Sequence, residues 1–181
     1  MNLEEKTITR KEIFKGKVIE VHLDEVELPN KERATREVVN HRGGVCVAAL
    51  TDKDELLFVR QYRYPYKQVI LELPAGKLEL GYTPLENGIR ELKEETGATG
   101  KDYVSLGEVY PSPGYCGESI HLYFCRIESM GNSSPDEDEF LEVERIPLNK
   151  AVEMILKNEI SDAKTQVAVL KLSMLLGEDK K

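Results

Sequence analysis

Residues 76–98 have the sequence GKLELGYTPLENGIRELKEETGA, which combines a glycine turn, clear helix start and stop signals, and five glutamates. Thr83 is a favoured N-cap residue, Pro84 suits the first helical position, and Glu86 completes a capping box with Thr83. Gly97 is typical of the residue at which a helix ends. The segment therefore predicts a helix that begins at Pro84 and ends just before Gly97.

Two faces of this predicted helix carry different residues. At about 100° per residue, one stripe is apolar and consists of Leu85, Ile89 and Leu92. Glu91 and Glu95 are four residues apart and stand one above the other on a different face, with Glu94 beside them. Like charges at this spacing destabilise a helix unless solvent, nearby cations or a bound divalent cation offset the repulsion. The helix taken alone favours a solvated acidic face.

The turn before the helix favours the divalent cation instead. The apolar run at residues 69–71 predicts a strand, and the following Leu73-Pro74-Ala75-Gly76 places a turn beside the acidic helix face. Backbone carbonyl groups of such a turn can add oxygen ligands, which hard cations such as Mg²⁺ prefer. Strand, turn and helix together therefore predict a metal site within one short segment.

The same segment resembles the Nudix box, G-x5-E-x7-R-E-U-x-E-E-x-G-U, in which U is a bulky apolar residue. Seven positions match in one register: Gly76, Arg90, Glu91, Leu92, Glu94, Glu95 and Gly97. Two positions differ, because Tyr82 stands where the pattern has glutamate and the small Ala98 stands where it has a bulky residue. The resemblance implies a Nudix hydrolase, and seven fixed positions are a far more specific signal than a single glycine-rich motif.

The resemblance also implies a metal-dependent reaction and the ligands of the metal. It implies that Glu91 and Glu95 are the main ligands of Mg²⁺ and that Glu94 assists them. The backbone carbonyl of Ala75 is expected to complete the shell, and Mn²⁺ is the alternative ion. A site with more than one cation can hold both the attacking and the leaving oxygen of a phosphoanhydride.

Length, charge and cysteine content limit the classes of function. With 181 residues and a net charge of −8, the chain is long enough for a sizeable core and shows no basic stripe for nucleic acid. It contains no apolar run of about 18 residues, so we expect neither a membrane span nor a membrane partner. The polar start MNLEEKTITRKE is unlike a secretory signal, and three cysteines without metal-ligand spacing favour reduced thiols. These features predict a cytoplasmic protein.

Alternating and apolar runs predict a mixed sheet. Residues 12–28 alternate between apolar and polar, Gly16 breaks the run, and a change of phase at Asp24 and Glu25 predicts a bulge or a short turn. The segment is therefore expected to form two strands, or one bent strand, before a turn at residues 29–31. Further strands are predicted at residues 34–41, 45–50, 56–62, 103–110, 119–127 and 140–146.

The C-terminal third of the chain has helical periodicity. Asn149 is a candidate cap for one helix, and Ser161 or Asp162 is a candidate cap for the next. The fold implied by these elements and by the resemblance is α/β, a Nudix-like α/β/α sandwich with a mixed sheet. Its expected extent is residues 43–181, preceded at residues 1–42 by an antiparallel β unit that serves dimerisation and the substrate end.

Segments outside the box resemble the ADP-ribose pyrophosphatases among the Nudix families. Pro113 lies fifteen residues after the box, within YPSPGYCGE, and the stretches TREVVNH, VRQYRYP and LELPAGKLE have the same character. The resemblance implies that Arg63 binds the diphosphate and Arg36 the nucleotide end. Phe14 can stack on adenine or pack in a core, and Arg60 is equally consistent with a structural ion pair. The expected substrate contacts are Phe14, Arg36, Glu37, Arg60, Arg63, Pro113 and Gly114.

A catalytic base is expected outside the box. Residues 135–139, PDEDE, form an acidic run before a strand, and similar enzymes use a mobile acidic loop there to supply a glutamate that orients or deprotonates water. This resemblance favours Glu139, followed by Glu137. A solvated acidic loop is the alternative for any one residue of the run. Glu118, in the loop before the strand at 119–127, is the rival candidate.

Together these resemblances imply hydrolysis of ADP-ribose to AMP and ribose 5-phosphate by a Mg²⁺-dependent homodimer whose N-terminal segments cross to the partner. The expected partner molecule is a small nucleotide sugar, with neither nucleic acid nor membrane. One alternative is another nucleoside diphosphate sugar or a dinucleotide as substrate. Another is a regulatory module that binds ADP-ribose without cleaving it, which Tyr82 favours and the intact acidic positions of the box oppose.

Overall fold

The computed structural model describes residues 2–136 and 139–178. Within it the chain divides into two compact units. The smaller unit contains the residues up to Gly43 together with 110–119, and the larger unit contains 44–109 and the residues from Ile120 onward. None of the helices in the described residues is long and apolar enough to span a bilayer.

The smaller unit is built on a three-stranded antiparallel sheet in the order β1-β2-β3. The strands are β1 (Lys6–Lys15), β2 (Ile19–Glu27) and β3 (Arg33–His41). β2 pairs with β3 without interruption, so the predicted bulge at Asp24 and Glu25 is wrong, and the register shifts lie in β1 instead. The prediction failed because β2 buries its polar residues, His22 and Asp24, on the same face as Val26.

The larger unit contains a seven-stranded mixed sheet. Its strands are β4 (Gly44–Leu50), β5 (Glu55–Arg63), β6 (Gln68–Glu72), β7 (Ala75–Lys77), β8 (Ala98–Val109), β9 (Ile120–Met130) and β10 (Leu141–Pro147). Five strands follow the order β10-β5-β4-β9-β8, while β6 pairs with β5 and β7 pairs with β4. The pairing of β4 with β9 is parallel and the other pairings are antiparallel.

Three α-helices belong to the larger unit: α1 (Pro84–Thr96), α2 (Leu148–Leu156) and α3 (Ala163–Glu178). The predicted bounds of α1 are confirmed, with the capping box at Thr83 and a C-cap at Gly97, whose φ of 73° favours glycine. Asp162 caps α3 by accepting a hydrogen bond from Thr165 N at 2.9 Å, as one alternative predicted. Asn149 is not the cap of α2, because the helix already begins at Leu148 after Pro147.

β4 lies at the centre of the sheet, and all seven of its residues are buried. Its residues 46, 48 and 50 join a core cluster with Ile155 of α2 and Leu172 of α3. The alternate residues Val47 and Ala49 join a second cluster with Leu92 of α1. Because neighbouring residues of a strand point to opposite faces, the helices cover both faces of the sheet. The predicted α/β/α sandwich is therefore confirmed.

Candidate active site

The acidic face of α1 is buried. Glu91 is 9% exposed and Glu95 is 2% exposed, whereas Ile89, which the sequence placed on an apolar stripe, is 40% exposed. The turn after β6 lies against the acidic face, and Ala75 N donates a hydrogen bond to Glu95 Oε2 at 3.0 Å. Of the apolar stripe, Leu92 is buried whereas Ile89 is exposed, because the carboxylates occupy part of the inward face.

Gly76 makes this close approach between turn and helix feasible. A Cβ atom at residue 76 would lie 2.0 Å from both Cδ and Oε1 of Glu91. Real Cβ contacts are never that short, so any side chain at this position would displace the Glu91 carboxylate or the turn. The first glycine of the box therefore provides the space that the Glu91 carboxylate occupies.

Burial and mutual repulsion raise the pKa values of these two carboxylates. Burial raises the pKa of Glu91 to about 7, and the charges of Glu94 and Glu139 add to the rise against the opposing charge of Arg90. Burial raises the pKa of Glu95 to about 8, with further contributions from Glu91 and Glu139. A pair of buried carboxylates that is costly to ionise is a favourable place for an added cation.

Arg90 is the main counter-charge on the same helix. Its Nη2 lies 2.7 Å from Glu91 Oε1, and its Nη1 lies 2.5 Å from Glu94 Oε2. Nη2 also lies 3.1 Å from an oxygen of Glu79. Glu79 thus supplies a carboxylate to Arg90 from the loop that precedes Tyr82. Tyr82 stands at the position where the box pattern has its first glutamate.

The donor set fits a hard divalent cation, although it is not arranged as a finished coordination site. Within residues 2–136 and 139–178, no three His, Cys, Asp or Glu side chains converge closely enough to hold a metal ion. The oxygens present are the carboxylates of Glu91, Glu94 and Glu95, and these are the ligand types that Mg²⁺ takes. The space left by Gly76 and the raised pKa values of Glu91 and Glu95 support the fit.

The three predicted candidates for the base are placed differently. Glu139 precedes β10 in the larger unit and lies near enough to α1 for its charge to raise the pKa values of Glu91 and Glu95. Glu118 belongs to the smaller unit, where its carboxylate lies 3.4 Å from His41 Nδ1. Glu137 lies outside the described residues.

Both candidate arginines of β5 form forked ion pairs. Arg63 binds the buried Glu72 through Nε at 2.6 Å and Nη2 at 2.9 Å. Arg60 binds Glu144 of β10 through Nε and Nη2. Arg60 also lines a surface cavity of about 580 Å³ together with Glu139 and other residues of β5, β6 and β10. The structure therefore brings Arg63 and Glu139 into the neighbourhood of the acidic face, and gives Arg60 a partner of its own.

The remaining predicted contacts lie in the smaller unit. Arg36 binds Glu5 through Nη2 at 2.6 Å and Nε at 2.9 Å. Phe14 is 54% exposed, and Glu37, Pro113 and Gly114 are exposed as well. Strand register pairs Arg36 with Asp24, and it pairs Phe14 with Val21 on the other face of the sheet. Arg36 and Phe14 of one chain therefore do not form one pocket face.

The comparisons with known families agree with this geometry. Residues 40–167 match the model of the NUDIX domain, and residues 5–39 match the nucleoside diphosphate sugar hydrolase N-terminal domain. The chain belongs to the Nudix family of hydrolases. The predicted family, fold and enzyme class are thereby confirmed.

Two curated relatives align with nearly the whole of this Nudix chain. It is 42% identical over 175 residues to an ADP-ribose pyrophosphatase of Bacillus subtilis, covering 96% of this chain and 95% of the relative. It is 41% identical over 173 residues to the methanol dehydrogenase activator of Bacillus methanolicus, covering 94% of each. A crystal structure of an ADP compounds hydrolase matches with a TM-score of 0.87 and 21% identity, over 99% of this chain and 98% of that one, which shows the shared fold.

Sequence reasoning missed one charged group in the Nudix domain. Glu72 is 2% exposed and binds both Arg63 and Lys164, and Lys164 also binds Asp162. A glutamate within the apolar run QVILELP was a usable signal, because a buried carboxylate requires a cationic partner. The partner Lys164 is 92 residues away in the chain and carried no such signal.

Proposed function

We propose that this Nudix hydrolase cleaves the diphosphate of ADP-ribose to give AMP and ribose 5-phosphate, with Mg²⁺ or, in its place, Mn²⁺. The observation that carries the proposal is the buried acidic face of α1 in a chain that aligns along 96% of its length with an ADP-ribose pyrophosphatase. The N-terminal match to a nucleoside diphosphate sugar hydrolase domain supports a nucleotide sugar as substrate.

Each side chain of the acidic site has a proposed role in this reaction. Glu91 and Glu95 hold the cation, Glu94 assists, and the Ala75 carbonyl contributes an oxygen. The bound cation supplies positive charge that neutralises the diphosphate and stabilises the charge that develops in the transition state. Glu139 orients or deprotonates the attacking water, since its charge acts on the carboxyl groups of both proposed ligands.

Arginine provides the proposed contact to the substrate diphosphate. Arg63 is held in a planar fork by Glu72, which fixes the orientation of the guanidinium before any ligand arrives. A guanidinium binds phosphate oxygens in the same forked geometry. Arg36, Glu37, Pro113, Gly114 and Phe14 are the proposed contacts of the smaller unit, and Arg60 contributes from the cavity beside Glu139.

We also propose a cytoplasmic homodimer. All residues of β1 are exposed, including Ile8, Ile13 and Phe14. An exposed strand with apolar side chains is a favourable surface for a second copy of the chain. Arg36 and Phe14 lie on opposite faces of the three-stranded sheet, which supports contributions from two chains to one adenine site. Three cysteines that form no disulfide within the described residues support a reducing compartment.

A regulatory module is the second candidate, because one relative at 41% identity is a methanol dehydrogenase activator and Tyr82 replaces a box glutamate. Glu79 weighs against the loss of catalysis, since its carboxylate pairs with Arg90 at 3.1 Å and supplies a negative charge from the same loop as Tyr82. Another nucleoside diphosphate sugar or a dinucleotide is the alternative substrate.

The test is product formation from a panel of nucleoside diphosphate sugars and dinucleotides with Mg²⁺, followed by chromatography. ADP-ribose is expected to give AMP and ribose 5-phosphate with the largest kcat/KM of the panel. Tight binding of ADP-ribose without AMP would favour the regulatory module. A larger kcat/KM for another member of the panel would identify that compound, rather than ADP-ribose, as the preferred substrate.

A further inference from the structure

Glu72 connects α3 with the arginine that is proposed to bind substrate. Its side chain is 2% exposed, so its charge depends on protein partners. Arg63 donates to both carboxylate oxygens, and Lys164 Nζ donates to Oε2. Burial opposes ionisation of Glu72, but the hydrogen bonds of Arg63 and the charge of Lys164 outweigh it and lower the pKa of Glu72. Glu72 is therefore an ionised link between two cations.

Arg63 keeps hydrogen-bond donors for a second anion. The guanidinium has more N–H groups than the two that Glu72 accepts. The Arg63 side chain is 38% exposed, although Glu72 beside it is buried. The charge of Arg63 also acts against the rise in the pKa of Glu95, which places the guanidinium near the acidic face of α1. One edge of Arg63 is thus fixed by Glu72, and no other residue within 2–136 and 139–178 accepts a hydrogen bond from the guanidinium, so donors are available to an anion.

The first helical turn of α3 also holds Lys164 in position. Lys164 Nζ lies 2.9 Å from Asp162 Oδ1, and Asp162 Oδ2 accepts from Thr165 N at 2.9 Å. Thr165 Oγ1 accepts from Leu73 N at 2.9 Å. The last of these bonds attaches the beginning of α3 to Leu73. Leu73 lies between Glu72 and Ala75, whose N–H donates to Glu95. Asp162 therefore holds the ammonium group of Lys164 at the beginning of α3.

Sharing one carboxylate between two cations changes what Arg63 can offer to a ligand. A Glu72–Arg63 pair by itself would have no net charge, so the guanidinium would attract an anionic ligand only weakly. Lys164 takes part of the interaction with Glu72, so Arg63 remains oriented while less of its charge is neutralised. Asp162 binds Lys164 rather than Arg63.

We propose that Lys164 is a positioning residue for substrate binding, because it holds Glu72 and through it fixes the guanidinium of Arg63 in the orientation that binds a diphosphate. The inference rests on the proposed function, since it assumes a substrate with a diphosphate. A lysine that served stability alone would change the free energy of unfolding, whereas a lysine that acts through Arg63 changes ligand affinity only while Arg63 is present.

A double-mutant cycle between Lys164 and Arg63 tests this directly. Affinity for the α,β-methylene analogue of ADP-ribose is measured by calorimetry with Mg²⁺, so that no turnover is needed. Lys164→Met is expected to weaken binding about tenfold in the wild-type background. In the Arg63→Met background the same change is expected to alter affinity by less than about twofold, because the group through which Lys164 acts is absent.

Kinetics and matched variants distinguish positioning from general damage. In steady-state assays Lys164→Met is expected to raise KM with kcat within about twofold of wild type. Lys164→Arg keeps the positive charge on Glu72 and is expected to restore most of the affinity. Lys150→Met removes a lysine of α2 whose side chain is 51% exposed, and is expected to leave both affinity and KM unchanged.

Thermal denaturation of each variant is recorded first, because removing one partner of a buried ion pair is strongly destabilising. If Lys164→Met does not fold, the combination of Glu72→Gln with Lys164→Met removes both charges and is expected to show the same loss of affinity. Equal losses in the two Arg63 backgrounds, or no loss in either, would overturn the proposal. Wild-type protein that binds the analogue but releases no AMP from ADP-ribose would refute the proposed function alone, and absence of analogue binding would refute both.

Discussion

Glu95 and Glu72 belong to the same unit and each is 2% exposed, yet their pKa values move in opposite directions. Burial raises the pKa of Glu95 to about 8, and the neighbouring Glu91 and Glu139 add to the rise. Burial also opposes ionisation of Glu72, but its two cationic partners lower the pKa below the ordinary value. The neighbours, rather than the depth of burial, decide the ionisation of each carboxylate.

This difference separates two uses of a buried charge. The acidic face of α1 gathers carboxylates whose repulsion is only partly offset by Arg90, an arrangement that costs stability and is typical of a functional site. The cluster at Glu72 pairs its charges and holds Arg63, β6 and α3 together. Substitutions in the first region should therefore reduce turnover with little effect on folding, and substitutions in the second should reduce stability.

The largest effect on turnover is expected from Glu95→Gln. The amide oxygen of glutamine can still accept the hydrogen bond from Ala75 N, so the fold is expected to persist. Loss of a charged ligand is expected to lower kcat with Mg²⁺ by roughly 10²–10³-fold. Steady-state AMP release measures the loss, and Glu108→Gln on an exposed part of β8 is the control. Wild-type turnover in Glu95→Gln would remove Glu95 from the metal site.

Gly76→Ala tests the geometry of the same region without changing its charge. The added Cβ would lie 2.0 Å from the Glu91 carboxyl group, so the carboxylate or the turn must shift. We expect roughly a hundredfold loss of kcat/KM, since a misplacement of about 1 Å costs that much in a catalytic site. Gly177→Ala, where a Cβ meets nothing within 4 Å, is the matched control. Equal activities of the two variants would mean that the close approach is not needed.

The second region is tested by the effect of Glu72→Gln on stability. Breaking a buried ion pair is expected to lower the free energy of unfolding at pH 7 by about 3–5 kcal/mol. Urea denaturation gives this value. Glu144→Gln is the control, because it neutralises the partly exposed carboxylate that pairs with Arg60. It should lower the free energy of unfolding by no more than about 1 kcal/mol. Similar losses for the two variants would contradict the contrast between buried and exposed pairs.

Acidification should reveal the same ion cluster. The pKa of Glu72 is lowered in the folded protein from an ordinary value of 4.5, so its stabilising contribution is complete above pH 4.5. The contribution is lost as the pH falls below that value towards the lowered pKa, because the unfolded chain then binds the proton more tightly. The stability difference between wild type and Glu72→Gln should therefore shrink below pH 4.5. A difference that stays constant from pH 7 to pH 3 would contradict the ionised link.

The smallest effect is expected from Tyr82→Glu, which restores the family pattern. Tyr82 is 56% exposed, and Arg90 already binds carboxylates from Glu79, Glu91 and Glu94. A further exposed ion pair contributes at most about 1 kcal/mol, so kcat/KM should rise by less than about fivefold. Glu79→Gln should lower kcat/KM in the Tyr82 background and less in Tyr82→Glu. A rise of two orders of magnitude in the kcat/KM of Tyr82→Glu would show that Glu79 does not substitute for the first glutamate of the box pattern.

Local signals in the sequence were sufficient for α1, for β4 and for the family. The capping box at Thr83 and the glycine at 97 gave the bounds of α1, because caps depend on neighbours within one turn. The apolar run of β4 indicated a strand buried on both faces. The Nudix box gave the family, since seven positions agreed in one register.

The inward face of α1 and the cluster at Glu72 could not be obtained in the same way. The helix taken alone favoured a solvated acidic face, because hydrophobic periodicity assigns carboxylates to solvent, whereas Glu91 and Glu95 are buried. The same rule led to the wrong prediction of a bulge in β2, because the buried face of that strand carries His22 and Asp24. Lys164 reaches Glu72 across 92 residues, and only the assembled fold brings the two together.

The central claim, that the buried carboxylates of α1 gather a divalent cation, is tested most directly by titrating the protein with Mn²⁺ and following free Mn²⁺ by electron paramagnetic resonance. The combined Glu91→Gln and Glu95→Gln variant, shown to be folded by circular dichroism, is expected to bind Mn²⁺ at least about tenfold more weakly than wild type. Mn²⁺ affinity equal to that of wild type in this variant would contradict the claim.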